Sequence, residues 1–380
     1  MKGHIYKRGK TYTYVIDVGR DPETGQRKQK SKGGFQKKKE AEQALRKALD
    51  VLEKEDFHSP SKENFSTFMQ KWLNTHYRFR VSETTTSIST YTINKHLLNN
   101  NPFLNKQISK ITTRDIDNFY GYKLNEGLST STVRKLHNLL NKALGQAQKW
   151  NMIISNPVAS ADPPSIKKAE FLIWNSADIN KFLITIRNER LYILFFLAIH
   201  TGMRKGELLA LKWSDINLAK RIINVRRSLS NIPGKGYLHK ELKTKKSKRN
   251  IIISKDVAET LLQHRKEQEK IINEFGNAYV DNDLVICTTE GKEQDLRNVT
   301  RVTKRLIQEA GVPKIRFHDL RHTHASILLS EGIDVVEVSS RLGHTNPRTT
   351  LETYAHLVPN KNNNAADRFS KALSKDLFNG

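Results

Sequence analysis

The sequence predicts a mostly α protein with small β-sheets, an α+β chain of several bodies. Three observations predict it. At 380 residues the chain can bury two or three cores, since one domain commonly holds about 100 to 200 residues. Apolar positions recur at helical spacing through most of its length. The period-two alternation of half-buried strands is confined to one stretch near the N-terminus and another past the midpoint.

Residues 1–57 read as a three-stranded sheet backed by one helix. Tyr12, Tyr14, Ile16 and Val18 alternate with polar neighbours, Asp21-Pro22-Glu23-Thr24-Gly25 is a turn, and Gln26 to Lys32 returns as a strand. Ala41, Ala44, Leu45, Ala48, Leu49 and Leu52 then share one helical face. Residues 64–156 are helical in pattern throughout and predict four helices. Phe65, Phe68, Met69, Trp72 and Leu73 form one stripe, and Leu136, Leu139, Leu140, Ala143, Leu144 and Ala147 another, with Ile88 to Leu98 and Thr113 to Leu124 between them. Asn156-Pro157 stops the last helix, because a residue before proline is driven out of the α region. Residues 157–169, with Pro163-Pro164, read as an interdomain linker.

Residues 170–380 read as a mixed α/β body. Asp178 to Arg187 and Leu191 to His200 predict apolar helices, and Gly202 is expected to open a third with Arg204 and Glu207 on one face and Leu208 and Leu211 behind. Ile222 to Val225, Tyr237 to Leu242 and Asn250 to Ile253 have β character, broken by Pro233-Gly234 and by the charged run Lys245 to Arg249. Val257 to Phe275 and Asn298 to Ala310 are helical again. Ala366, Phe369, Leu373 and Leu377 stripe a polar tail that docks either on its own body or on a neighbouring subunit.

Sixty-five Lys and Arg against 39 acidic residues give a net charge of +26 and favour a large polyanionic partner such as nucleic acid. The longest apolar run, Leu191 to Ile199, falls far short of the roughly 20 residues that span a bilayer, and no apolar signal core opens the chain, so a cytoplasmic location is expected. Cys287 is the single cysteine, which excludes an internal disulfide and a cysteine-based zinc site within one chain.

The segment from Arg316 to His356 concentrates His, Arg and one Tyr at spacings that core packing does not require. His318 and Arg321, three apart, project from one helical face. His344 follows in a turn, and Asn346-Pro347 looks like the N-cap and first position of a short helix carrying Tyr354. Tyrosine is a poor nucleophile at neutral pH, with a pKa of roughly 10, and a phosphodiester repels anions. Two arginines and imidazole donors ease both problems by neutralising the phosphate, which suggests phosphoryl transfer onto tyrosine. A metal reading of His318, His322 and His324 is disfavoured, because no Glu sits between them as in the zinc protease motif and Arg321 would repel a cation. His322 and His324 are expected to pack or cap. No Walker loop and no paired carboxylates for magnesium are present, so no cofactor is expected.

His-x-x-Arg, Leu-Gly-His and a Tyr ten residues later resemble the tyrosine recombinase (phage integrase) family. Thr201-Gly202-Met203-Arg204-Lys205-Gly206-Glu207-Leu208 resembles the element that carries that family's first arginine, and Glu241-Leu242-Lys243-Thr244 offers its β-hairpin lysine. The resemblance implies a catalytic set of Arg204, Lys243, His318, Arg321, His344 and Tyr354. Tyr354 would be the nucleophile, Lys243 at a hairpin tip the general acid, His318 the aid to proton removal, and Glu207 the carboxylate that orients the cations. It further implies an integrase that inserts and excises a phage or mobile element through a 3′-phosphotyrosyl intermediate, as a tetramer on double-stranded DNA that passes through a Holliday junction. An excisionase and a DNA-bending host factor are the implied helpers. Residues 1–57 would bind arm sites through Lys7, Arg8, Lys10, Arg20, Arg27, Lys28 and Lys30. Residues 64–156 would clamp the core site with Lys95, Arg134 and Lys135, and residues 170–380 would be the catalytic domain. The alternative is a DNA-binding regulator that keeps the fold without the chemistry.

Overall fold

The computed structural model describes residues 3–20, 27–56, 61–166, 172–232, 234–242, 247–344, 346–354 and 369–370. Internal contacts divide the chain into two units, residues 1–168 and 169–380.

The first unit opens with the antiparallel sheet β1 (Gly3–Arg8), β2 (Thr11–Arg20) and β3 (Arg27–Phe35), followed by helix α1 (Lys38–Asp56). Tyr14 and Ile16 are buried beneath α1 with Ile5, Phe35, Ala44, Leu45, Ala48 and Leu49. Register decides which residues face the helix: Ile5 pairs with Tyr14, Lys7 with Tyr12, and Ile16 with Lys30. Directly opposed residues share a face, so Lys7 and Lys30 stand at the margins of the helix-covered side, whereas Tyr6, Arg8, Thr11 and Val15 point to the open one. The predicted turn at 21–25 lies outside the described residues.

A second core in the same unit is helical. It comprises α2 (Phe65–Trp72) extended by a π turn at Leu73–Tyr77, α3 (Glu83–Thr92) extended likewise at Ile93–Leu97, α4 (Thr113–Asn125) and α5 (Thr130–Lys149). Both predicted stripes are buried in it. Between them Ile88 is 61% exposed, and the inward positions are Ser89, Ile93 and Leu97, spaced four apart on one helical face. Ser89 is buried and bonds the Tyr77 hydroxyl at 3.0 Å. The stretch read as the start of a linker also belongs to this body: Val158 and Ala161 are in its core, and Thr113 Oγ1 donates to Pro157 O at 3.1 Å.

The second unit contains α6 (Ser176–Thr185), α7 (Tyr192–Thr201), α8 (Lys205–Leu209), β4 (Ile216–Asn217), β5 (Ile222–Val225), β6 (Arg227–Ile232), β7 (Gly236–Glu241), β8 (Arg249–Ile252), α9 (Lys255–Phe275), α10 (Leu296–Ala310), α11 (Asp319–Ser330), α12 (Val335–Leu342) and α13 (Pro347–Tyr354). Strands β4, β5 and β8 make one small antiparallel sheet and β6 and β7 a hairpin. Helix α7 is the axis of the core, with Ile193 to Ile199 all buried, as its unbroken apolar run requires. Of the apolar tail positions, Ala366, Leu373 and Leu377 lie outside the described residues. No helix among the described residues is long and apolar enough to cross a membrane.

Candidate active site

The site begins where α7 ends. Gly202 caps α7 with φ 63°, a left-handed conformation that suits glycine. A Cβ there would lie 2.6 Å from His324 Cδ2 and 2.9 Å from Leu342 Cδ2. Gly202 therefore closes a helix rather than opening one, correcting the sequence expectation. The next helix is only Lys205–Leu209, with Arg204 as its N-cap. Gly343 ends α12 in the same way, with φ 70°.

These two helix ends hold the arginines. Arg321 is 3% exposed; its Nη1 donates to Gly202 O and its Nη2 to Leu342 O, each at 2.7 Å. Helix C-termini carry partial negative charge and leave carbonyls unbonded, so a guanidinium is a fitting partner. Arg204 Nη2 donates to Gly343 O at 3.2 Å, and its Nη1 to Glu207 Oε1 at 2.8 Å. Glu207, only 2% exposed, also accepts from the Arg204 backbone N–H and from Arg249 Nη2, both at 2.9 Å. Burial pushes the Glu207 carboxyl up, but the Arg249 hydrogen bond and the charges of Arg249 and Arg204 outweigh it and hold the group below the ordinary carboxylate range. Burial, then the neighbouring Arg204, pulls the Arg321 guanidinium down to about 9, which leaves it charged at neutral pH.

Arg249 was read as part of a charged break. It is instead the first residue of β8, buried, with Nε on Arg341 O at 2.6 Å. A sequence signal for it existed: Arg249, Ile251 and Ile253 alternate, and all three point inward.

Histidines stand at the start of α11, along it and just after α12. His318 caps α11 and packs edge-on against His322, with ring centroids 5.2 Å apart. His344 bonds Thr350 Oγ1 through Nδ1 at 2.7 Å, and burial followed by the charge of Arg321 draws it down to about 4. His324 is buried and packs, as expected: Nδ1 bonds Ile199 O at 2.8 Å and Nε2 accepts from Arg341 Nε at 3.1 Å. Tyr354 is 1% exposed, in a small core with Ala325, Leu329, Val338 and Leu342. Burial raises its phenol above the ordinary tyrosine value, with Arg321 opposing. Its hydroxyl hydrogen-bonds His322 Nδ1. His322 was expected only to pack or cap, and it is the imidazole that touches the tyrosine.

Lys243 lies outside the described residues. Among the described residues β7 ends at Glu241 and β8 begins at Arg249. The connection is flanked by the ion pair of Glu241 and Lys248, at 2.9 Å. Among the other candidates, Lys7, Arg8, Lys10, Lys30, Lys95 and Lys135 are exposed, whereas Arg134 Nη1 donates to Pro163 O at 3.2 Å. The side chains of Arg20, Arg27 and Lys28 lie outside the described residues.

Buried Arg321 and half-buried Arg204 are thus seated on two helix ends, and buried Tyr354 packs against α11 and α12. The chain belongs to the phage integrase family of tyrosine recombinases. Residues 175–361 match that family's model, 4–50 match the arm DNA-binding domain, and 64–124 the N-terminal SAM-like domain of phage integrases. The ICEBs1 integrase of Bacillus subtilis (strain 168) is 30% identical over 74% of this chain and 76% of its own. An XerC-like tyrosine recombinase of Caldanaerobacter subterraneus subsp. tengcongensis is 29% identical over 99% of both chains. The fold is shared with a Tn1549 transposon integrase in complex with transposon right end DNA, which is 19% identical over 81% of this chain and 100% of that one with a TM-score of 0.70. It is shared too with a lambda integrase tetramer bound to a Holliday junction, 18% identical over 92% and 94% with a TM-score of 0.56.

Proposed function

We propose that this recombinase integrates and excises a mobile element by tyrosine-mediated strand exchange. The Tyr354 oxygen attacks a scissile phosphate, giving a 3′-phosphotyrosyl enzyme and a free 5′-hydroxyl. A partner strand's 5′-hydroxyl then attacks the phosphotyrosine, so bond energy is conserved without ATP. Arg204 and Arg321 hold the non-bridging oxygens, His344 donates to the phosphate, and Lys243 protonates the leaving oxygen. The observation that carries this reading is the convergence of Arg204 and Arg321 on the carbonyls of residues 202, 342 and 343, with Tyr354 buried against the same helix α11. A phosphate entering there meets donors already oriented, which is how electrostatic stabilisation works without reorganisation.

The partner is double-stranded DNA, consistent with the net charge of +26. Residues 1–57 serve arm sites, residues 64–156 the core site, and residues 170–380 the chemistry. The assembly is a tetramer, since exchange between two duplexes needs four cleavages. An excisionase and a DNA-bending host factor set direction, and the reaction runs in the cytoplasm. The test is covalent trapping: protein mixed with a nicked suicide duplex spanning the element junction and run on a denaturing gel beside Tyr354→Phe. A shifted band absent from the variant, with equal footprints for both, is the expected result. A footprint with no band from either nicked strand overturns the reading in favour of a DNA-binding regulator.

A further inference from the structure

We propose that His322, rather than His318, receives the phenolic proton of Tyr354 during cleavage; this rests on Tyr354 being the nucleophile. The first ground is contact. His322 Nδ1 bonds the Tyr354 hydroxyl, while His318 packs against the His322 ring. The second is isolation. Tyr354 is 1% exposed, so bulk water does not reach the hydroxyl, and burial disfavours a free phenolate. A proton leaving this oxygen needs an acceptor within hydrogen-bond reach. The third is placement on one helix. His322 adjoins Arg321 on α11, so the element that seats the phosphate-binding guanidinium also aims an imidazole at α13.

The charges around His322 favour its basic form. Arg316 precedes α11, His318, Asp319 and Arg321 lie on α11, Tyr354 approaches from α13, and His344 from the turn after α12. Burial first, then His318, pulls the imidazole down to about 4, with Asp319 opposing and Arg316 and Arg321 adding to the fall. It is therefore neutral at physiological pH, and in the tautomer protonated at Nε2 its Nδ1 accepts from the tyrosine hydroxyl. A phosphodiester anion in the arginine pocket favours the imidazolium and so raises its basicity when substrate is bound. In the step itself the Tyr354 O–P bond forms and the P–O5′ bond breaks. The phenolic proton passes to His322 Nδ1, and the 5′ oxygen takes its proton from the acid assigned to Lys243. Rejoining reverses each transfer.

The experiment measures single-turnover adduct formation on the nicked suicide duplex from pH 4 to 9, for the intact chain and for His322→Asn, His318→Gln and Tyr354→Phe. Asparagine offers a polar amide near the Nδ1 position and cannot take a proton. His322→Asn should footprint as the parent does, form adduct about 100-fold more slowly, and lose the acidic limb of the profile, which His318→Gln keeps. Should His322→Asn fail to fold, His322→Gly with added imidazole takes its place, and restoration of rate is the expected outcome. A folded His322→Asn that cleaves within about threefold of the parent with the same acidic limb overturns the proposal, as does a folded His322→Gly that imidazole does not restore. A Tyr354→Phe protein that still forms adduct would overturn the nucleophile assignment itself.

Discussion

The arginine pocket and helix α13 are held in different ways, although the proposed reaction needs both. Arg204, Arg249 and Arg321 are tied by direct hydrogen bonds to backbone carbonyls and to Glu207. Their geometry is set by two glycine-ended helices and exists without a phosphate. Helix α13 has eight residues, too few to be stable on its own. It relies on Tyr354 packing with Ala325, Leu329, Val338 and Leu342, and on two side-chain bonds to histidines. The difference teaches that the arginine pocket is preorganised by the backbone, whereas Tyr354, the proposed nucleophile, is stored in a small apolar core.

The largest effect should come from breaking the pocket's geometry while keeping its charge. In Arg321→Lys an ammonium replaces a fork that reaches two carbonyls on two helix ends. Adduct formation in the suicide assay should fall by about 100- to 1000-fold, with DNA affinity changed far less. A variant that cleaves at the parental rate would mean that charge alone suffices and that preorganisation does not matter. Next comes Arg249→Ala, which leaves the Glu207 carboxylate with one buried partner fewer. The loss is about 3 kcal/mol, a fall in Tm on the order of 10 °C, read by thermal melting of the full chain. An unchanged Tm would show that the pocket is not held by this pair.

Acid should separate the two regions. His322 and His344 are drawn down to about 4 and His324 to about 3, so the folded chain resists protons that the unfolded chain accepts below about pH 6.5. The unfolded state binds more protons there, and stability falls as pH drops, by up to about 1.4 kcal/mol per unit for each histidine. Glu207 acts in the same direction but lower: its depressed carboxyl stabilises the fold above the ordinary carboxylate range, and that contribution is lost as pH falls through its folded value. Urea midpoints should therefore decline from pH 6.5 to 4.5, before carboxylates titrate. A flat profile across that window would contradict the burial of the imidazoles.

Much of this site could be read in the sequence, and what escaped did so for physical reasons. Arg204, His318, Arg321, His344 and Tyr354 stand in local contexts whose spacing already brings them to turns and helix faces. Arg249 hid in Lys-Thr-Lys-Lys-Ser-Lys-Arg, where composition offers several equivalent cations and only strand register tells which one turns inward. His322 hid for a related reason. On a helix it neighbours His318 at i+4, and which of the two meets Tyr354 depends on where α13 docks, a tertiary fact with no local signature. The same holds for the N-terminal sheet, where Lys7 and Arg8 are adjacent in sequence but register sends only Arg8 to the open face.

The smallest predicted effect tests whether the two regions are independent. The bond from His344 to Thr350 Oγ1, at 2.7 Å, joins the turn beside the arginines to α13, and Thr350 is fully buried. Thr350→Val keeps the volume and removes the hydroxyl, at a cost of about 1 kcal/mol, or roughly fivefold in adduct formation if His344 loses its orientation. Paired with Arg249→Ala, whose residue belongs to the pocket, the two losses should add within about 0.5 kcal/mol if the regions act separately. A larger coupling would mean that His344 transmits strain from the arginine pocket to α13. The preorganised and the stored halves of the site would then be one mechanical unit rather than two.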